Sequence, residues 1–253
     1  MYSGFSAFYK VMKKKNRVGE KNLTNEGYEI EIIEYFGKAN CVIQFEDGNI
    51  MHNIEYGNII KGTVKNPFNP SVFGIGYLGV GKYRAKDNSR ITREYTSWHN
   101  MLKRCYYDSS LSYKDCSVDE RWHNFQVFAE WHTNNYIEGF ELDKDILIKG
   151  NKIYSPETCC FVPQEINKLL IRCDRTKKSL PMGVKKYYKE FQSRLNINGE
   201  YIHLGTFKTP EKAFKAYKKV KEKHIKEVAK LCRNIISERT YQSLITYQIE
   251  ITD

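Results

Sequence analysis

The sequence predicts a multi-domain α+β protein, on three observations. The chain has 253 residues, which exceeds a typical single domain of roughly 100–150 residues. The hydrophobic pattern changes twice along it, from short alternating runs to helical spacing and back to alternation before a long helix. Polar and turn-forming residues separate these regions. We therefore expect an N-terminal small β-barrel, a central helical segment that ends in a hairpin, and a C-terminal three-stranded sheet with a helix.

The first region alternates apolar and polar residues in short runs. Tyr28–Glu34 reads YEIEIIE and Cys41–Phe45 reads CVIQF, and the second run is followed by a Glu-Asp-Gly-Asn turn. We predict an N-terminal arm over 1–25 and a small β domain of the SH3 or Tudor class over 26–83. Barrels of this class bind proteins, peptides or nucleic acids, so a protein partner for this region is one open expectation.

Helical spacing marks the second region, predicted over 92–171. Apolar residues that recur at intervals of three and four indicate amphipathic helices with one buried face. They are Trp98, Met101, Cys105, Trp122, Phe125, Phe128 and Trp131. The run LDKDILI then predicts a strand over 142–148, Lys149-Gly150-Asn151 predicts a turn, and Pro163 opens a short helix.

A polar linker is predicted over 172–181 and a third domain over 182–253. Its three predicted strands are Gly183–Tyr188, Phe191–Ile197 and Tyr201–Phe207. Asn198-Gly199 is a typical hairpin turn between the last two strands. A helix follows, with Thr209 as N-cap, and its row of lysines is either a solvated face or a surface that contacts phosphates.

The composition favours a polyanionic partner. The formal net charge is +11, and 14% of the residues are aromatic, a combination that suits nucleic-acid surfaces.

No run approaches the roughly 20 apolar residues of a membrane span, and the N-terminus lacks a signal-peptide pattern, so we expect a cytoplasmic protein. Seven cysteines are an odd number in a chain expected to be intracellular, so we expect no disulfide framework. No CxxC pair is present, and we expect Cys105, Cys116 and Cys160 to be small buried thiols rather than ligands that gather a zinc ion with a nearby His.

The segment Gly183–Tyr217 carries small, aromatic and capping residues at fixed spacing. They are Gly183-Val184, Leu204-Gly205-Thr206-Phe207, Thr209, Glu211, Ala213 and Ala216-Tyr217. With these residues the segment resembles the DNA-binding domain of the plant ethylene-response-factor (AP-two) family, which also occurs in phage and mobile-element endonucleases. The resemblance implies that one sheet face contacts double-stranded DNA. The family's contact positions fall on Lys185, Tyr187, Gln192, Arg194, Asn196, Tyr201 and His203.

Strand alternation independently supports the same face. Within Phe191–Ile197 the odd-numbered residues share a face that we expect to pack on the helix. Gln192, Arg194 and Asn196 share the opposite, exposed face. These side-chain types form hydrogen bonds with base edges or phosphates in the major groove.

The central run LDKDILIKGNKIYSPETCCFVPQEIN contains acidic and amide residues on a predicted strand, turn and helix. It resembles a divergent His-Asn-His (ββα-metal) nuclease motif of phage homing endonucleases. In that family a strand carries a metal-binding acid beside a His base, a loop Asn braces the hairpin, and the next helix supplies a second metal ligand. The resemblance places the acid at Asp143, the brace at Asn151 and the helix ligand at Asn167. The base position is Lys144.

The residues themselves are compatible with a magnesium or manganese site. Asp143 and Asp145 lie two apart on the predicted strand and should share a face, and the amide oxygen of Asn167 would complete a hard-cation site. A protonated Lys144 accepts no proton from water unless its pKa falls by several units. Upstream candidates for a replacement base are His99, His123 and His132.

Two functions therefore stay open. One is a metal-dependent DNA endonuclease of the homing type, which nicks or cuts DNA chosen by the C-terminal sheet. The other is a catalytically inactive, nuclease-derived regulator that binds DNA without cutting it. If the chain is phage-encoded, it should act in the cytoplasm of a bacterial host.

Overall fold

The computed structural model of the chain describes residues 16–108, 110–170, 180–197 and 199–253. Within these residues it has six α-helices and several small sheets, which confirms the predicted α+β class. The chain divides into two compact units. The first runs to Pro70 and includes Tyr77–Val80, and the second holds Ser71–Gly76 and Gly81–Asp253. Residues 1–15 of the predicted arm, most of the predicted linker and Asn198 of the predicted hairpin turn lie outside the described residues.

The first unit contains an open antiparallel meander and a short helix. Its elements are β1 (Lys21–Leu23), β2 (Glu29–Gly37), β3 (Asn40–Phe45), β4 (Ile50–Ile54) and α1 (Tyr56–Ile60). The strands lie in the order β1-β2-β3-β4, with β1 and β4 as edges, so the predicted closed barrel was wrong. Ile59 of α1 and Val64 cover the apolar face instead, which removes the need for the sheet to close. The sheet begins with β1, inside the predicted arm.

The second unit begins with a small hairpin and two helices. Its first elements are β5 (Lys86–Asp87), β6 (Arg90–Ile91), α2 (Arg93–Tyr106), β7 (Ser117–Val118) and α3 (Phe125–Asn135), with 3₁₀ turns at Leu111–Tyr113 and Glu120–His123. Trp98, Trp122 and Phe128 are fully buried, as the apolar spacing predicted. The indole nitrogen of Trp98 donates a 2.7 Å hydrogen bond to the carbonyl of Trp122, so the polar edge of the buried ring is satisfied.

A second hairpin and a short helix follow. They consist of β8 (Phe140–Asp143), β9 (Ile153–Tyr154), β10 (Cys160–Pro163) and α4 (Gln164–Leu169). β8 pairs antiparallel with β10, and β9 pairs in parallel with β7. The strand predicted over 142–148 is therefore shorter and earlier in the chain. It ends at Asp143 because Oδ1 of that residue accepts the backbone N–H groups of Asp145 (2.8 Å) and Ile146 (2.9 Å), which closes a turn.

The C-terminal part is a three-stranded sheet under a long helix. Its elements are β11 (Val184–Tyr187), β12 (Glu190–Ile197), β13 (Glu200–Phe207), α5 (Pro210–Leu231) and α6 (Glu238–Ile245). The sheet is antiparallel in the order β11-β12-β13. Thr209 caps α5 by accepting the backbone N–H of Lys212.

One hydrophobic core joins the β8–β10 hairpin to this C-terminal sheet. Ile146, Val162 and Ile166 of the hairpin segment and α4 belong to the same buried cluster as Leu195 of β12 and Tyr217 of α5. The two segments that resemble a nuclease motif and a DNA-binding domain are therefore packed together.

A glycine fixes the first strand of the C-terminal sheet to its helix. Gly183 has a φ of +75°, and a Cβ atom at this position would lie 2.0 Å from Cδ2 of Tyr217. Only glycine adopts this conformation and leaves room for the ring.

We expect Gly183→Ala to destabilise the protein more than Gly139→Ala does. Both glycines have positive φ (+75° and +81°), but nothing lies within 4 Å of a Cβ atom at Gly139. The difference between the variants therefore isolates the contact with Tyr217, and overpacking should cost about 1–3 kcal/mol of unfolding free energy. Urea unfolding followed by circular dichroism measures it, and equal losses would show that the contact does not limit stability.

Candidate functional site

An open cleft of about 670 Å³ lies in the second unit and contains the predicted central site. Helix α2 contributes Ser97, Asn100 and Arg104, which share one helix face by their spacing. The remaining wall comes from the 3₁₀ turn at Leu111–Tyr113, β8, the loop that follows it, β9, β10 and α4 with its C-terminal end. All five predicted residues line the cleft, namely Asp143, Lys144, Asp145, Asn151 and Asn167.

Asp143 is a desolvated carboxyl at the end of β8. Burial, together with the negative charge of Asp145, raises the pKa of Asp143 to about 6. The two carboxyl groups are close enough to form a hydrogen bond when one of them is protonated. Two carboxylates that repel each other in a cleft favour either a shared proton or a bound cation.

Lys144 and Asn151 shape the turn after Asp143. The Lys144 side chain is buried, with Nζ 3.6 Å from Oδ2 of Asp145 and 5.7 Å from the ring centroid of Tyr154, and both contacts suit a cation. Nδ2 of Asn151 donates to the carbonyl oxygens of Lys144 (2.7 Å) and Ile153 (2.6 Å). Asn151 therefore ties the two sides of the loop together.

Asn167 contacts β8 through Glu141, an acid that was not among the predicted site residues. Its Nδ2 donates a 2.6 Å hydrogen bond to Oε2 of Glu141, which leaves the amide oxygen as its ligand atom. Glu141 and Asp143 lie two apart on β8 and share a strand face, whereas Asp145 lies in the turn beyond the strand. The alternation was present in the sequence, but the strand was predicted to start after Glu141.

The cleft also has a basic and aromatic part. Arg104 is half-buried, with its guanidinium carbon 5.5 Å from the ring centroid of Tyr113 and its side chain hydrogen-bonded to Tyr154. Burial raises the pKa of Tyr154, so its hydroxyl stays protonated. Arg104 comes from a helix far upstream of the hairpin, and no local sequence signal linked it to the site. The cleft thus combines acidic residues on β8 and its turn with a cation on α2.

None of the described histidines lines the cleft. His132 is linked to the cleft through Ser97, one of the lining residues, because Nε2 of His132 lies 3.2 Å from Oγ of Ser97. Burial lowers the pKa of His132, so the ring is neutral at pH 7. His123 bonds to the carbonyl of Val118, and His99 packs against Phe73.

The cleft offers oxygen donors of more than one chemical type. Among the described residues, no three His, Cys, Asp or Glu side chains form a group that could hold a metal ion. The predicted donor set consists of the carboxylates of Asp143 and Asp145 with the amide oxygen of Asn167. Carboxylate and amide oxygens are the ligands that magnesium and manganese prefer.

The strand register places all seven predicted DNA contacts on one face of the C-terminal sheet. The cross-strand pairs are Lys185 with Gln192, Arg194 with His203, Asn196 with Tyr201, and Tyr187 with Glu190. Directly paired residues project from the same face. The opposite face buries Ser193 and Leu195 under α5, as the alternation predicted.

Gln192 differs from its predicted exposure. It is only 9% exposed because the guanidinium of Arg194 lies over it and donates to its Oε1. Gln192 therefore orients Arg194 rather than presenting its own amide to solvent. Tyr201 is 74% exposed and Tyr187 is 48% exposed, so aromatic rings stand at two positions on this face.

The chain matches no protein-family profile, no curated protein and no solved structure. Among the described residues, no helix has the length and apolar character needed to cross a membrane.

The buried carboxyl of Asp143 predicts a loss of stability as pH rises. Its pKa is about 6 in the folded protein and 3.8 as a reference, so the folded state holds this proton more tightly. The resulting loss of unfolding free energy is absent below pH 4 and complete above about pH 6, and it amounts to about 1–3 kcal/mol.

Asp143→Asn keeps an oxygen acceptor for both backbone N–H groups and should remove this pH dependence. Urea unfolding between pH 4 and 8 in EDTA measures it, with Glu130→Gln as a variant that loses an exposed carboxylate. A wild-type stability that rises between pH 4 and 6, with no difference from Asp143→Asn, would contradict the assignment.

Proposed function

We propose that this protein is a metal-dependent DNA endonuclease of the homing type, in which the C-terminal sheet binds double-stranded DNA and the cleft cleaves a strand. The observation that carries the proposal is the meeting of carboxylates around Asp143 and a cation at Arg104 in one open cleft. Metal-dependent phosphodiester hydrolysis uses both groups, because carboxylates hold the divalent cation and a positive side chain stabilises the charged phosphate.

The acidic side of the cleft fits a divalent cation. A divalent cation held by Asp143 and Asp145 would offset both the burial and the neighbouring negative charge that raise the pKa of Asp143, and Asn167 would add a neutral oxygen. Such a metal ion polarises the scissile phosphate and lowers the pKa of bound water. The surroundings of Asp143 therefore favour either a proton or a bound cation.

The other cleft residues have supporting roles in this proposal. Arg104 contacts a phosphate oxygen while Tyr154 holds its guanidinium in place, and Lys144 stabilises negative charge beside the acids. A proton removed from water at the cleft wall can pass through the hydroxyl of Ser97 to His132. Burial keeps the His132 ring neutral, so a ring nitrogen can accept the proton, although the same burial makes the protonated ring less stable.

The sheet face supports DNA binding through its side-chain types. Lys185, Arg194 and His203 supply donors to phosphates or guanine, and Asn196 can bond to adenine. The shared core holds this face rigidly with respect to the cleft hairpin. Binding by the sheet would therefore fix the position at which the cleft meets the DNA.

One observation favours a second candidate, a DNA-binding regulator without nuclease activity. Lys144 occupies the base position, and no described histidine lines the cleft. A protein that lost its base would keep the fold and act by occupying its DNA site. In either case we propose action in the cytoplasm, which is that of a bacterial host if the gene belongs to a phage, with the first unit as a candidate site for a protein partner.

We expect magnesium- or manganese-dependent nicking of DNA from the source genome. Asp143→Ala should lower the rate by about 100-fold or more, and EDTA should abolish it. Arg104→Ala should lower the rate without removing metal binding, and Glu130→Gln serves as the control. Supercoiled-plasmid nicking and sequencing of new DNA ends are the measurements. Tight binding of DNA that stays intact would instead support the regulator.

We expect Arg194→Ala to weaken DNA binding by about 10- to 100-fold and to reduce the salt slope by about 1, since it removes one phosphate or base contact. Lys219→Ala removes an exposed charge from α5 and should have little effect. Fluorescence anisotropy with a labelled duplex at several salt concentrations measures both. A larger loss for Lys219→Ala would assign DNA binding to the helix and remove the sheet from the proposal.

A further inference from the structure

A small exposed hairpin precedes α2 and belongs neither to the cleft nor to the C-terminal sheet. We call residues 82–91 the basic hairpin; it contains β5 and β6. Every residue from Lys86 to Ile91 is exposed, so the tip buries no side chain. Such a short two-stranded element has little intrinsic stability.

Two sets of hydrogen bonds nevertheless hold the base of the basic hairpin in place. The side chain of Gln126 on α3 accepts the backbone N–H of Tyr83 (3.0 Å) and donates to its carbonyl (2.9 Å). At the other end, the backbone N–H of Thr92 donates to the carbonyl of Ala85 (3.0 Å), and its hydroxyl donates to that of Arg84 (2.9 Å). The base is therefore attached to both helices of the aromatic core.

The tip has an uncommon backbone conformation. Asn88 and Ser89 have φ values of 45° and 66°, in the left-handed region that residues other than glycine rarely adopt. Two consecutive residues in this region form the tight turn whose twist matches a two-stranded hairpin. The chain thus maintains a projecting turn at a conformational cost that no burial of the tip offsets.

The charge of the basic hairpin is unbalanced. It contains four cations, Lys82, Arg84, Lys86 and Arg90, and one acid, Asp87. Lys82 lies over the ring of Tyr83. Within the described part of the chain, the side chains of Arg84, Lys86 and Arg90 have no ion-pair or hydrogen-bond partner, whereas Arg93 just beyond the hairpin pairs with Glu138. Three cations are therefore available to an external anion.

We propose that the basic hairpin is a separate contact to double-stranded DNA, in which Arg84, Lys86 and Arg90 bind the phosphate backbone beside the cleft. A narrow projecting element with three free cations fits the regularly spaced phosphates that border a DNA groove. This inference rests on the proposed DNA-binding function and adds a surface that the sheet does not include.

The position of the hairpin predicts which phosphates it contacts. Thr92 ends the hairpin and caps α2, and the same helix carries Ser97, Asn100 and Arg104 along the cleft. At about 1.5 Å per residue, these residues lie about 8–18 Å along the helix from the hairpin base. With about 3.4 Å per base pair, the contacted phosphates should lie within about five base pairs of the bond in the cleft.

The test uses the full chain and a labelled duplex of about 30 base pairs, with affinity measured by anisotropy over a range of salt concentrations. The test variant is Arg84→Gln/Lys86→Gln/Arg90→Gln, and a charge-keeping variant is Lys86→Arg/Arg90→Lys. Lys38→Gln/Lys61→Gln/Lys65→Gln removes three exposed or partly exposed charges from the first unit and controls for net charge. Circular dichroism checks that each variant is folded.

We expect the salt slope to fall by about 2–3 in the hairpin variant, because each neutralised phosphate contributes about 0.9 to the slope. The charge-keeping and control variants should retain the wild-type slope. Hydroxyl-radical footprints of the hairpin variant should show weaker protection at phosphates on one side of the cut or binding site.

If wild-type protein binds DNA and the hairpin variant keeps its slope, or if the control variant shows an equal fall, the hairpin inference is overturned and the proposed DNA binding stands. If wild-type protein fails to bind the duplex and genomic fragments alike, both are overturned.

Discussion

The turn after β8 depends on one buried carboxylate. Oδ1 of Asp143 accepts two backbone N–H groups, which ends the strand, reverses the chain and sends Ile146 into the core shared with the C-terminal helices. Asn151 then holds the far side of the loop against the carbonyl of Lys144. The same carboxyl group is desolvated and lies next to Asp145, and both conditions raise its pKa. The residue that ends the strand therefore also makes this part of the cleft favour a proton or a cation.

The shared core gives this local arrangement a wider consequence. Because Ile146 and Val162 pack in the same cluster as Leu195 and Tyr217, the cleft hairpin and the proposed DNA-binding sheet have a fixed relation within the second unit. A flexible connection between recognition and cleavage would let the cleft reach many phosphates. A common core restricts the cleft to few phosphates. This restriction suits the proposed nuclease of the homing type, and it also suits a regulator that contacts one extended site.

Several features could be predicted because they depend on residues close together in the chain. Alternation in β12 correctly separated the face with Arg194 and Asn196 from the face with Leu195, and the Thr209 cap marked the start of α5. The central residues from Asp143 to Asn167 were predicted as a set, and they line one cleft. Predictions failed where a side chain competed with the backbone pattern: Asp143 ended a strand expected to continue, and Arg194 covered Gln192.

By itself, the sequence determined the α+β class and the strands and caps of the C-terminal segment, because hydrophobic periodicity and short-range hydrogen bonding set them. It also determined which acid, amide and cationic side chains are available to a site. Only the tertiary structure decided that the first sheet stays open and that Arg104 lines the same cleft as the β8–β10 hairpin. These outcomes depend on which apolar surfaces cover each other over long distances in the chain, and no local pattern encodes that choice.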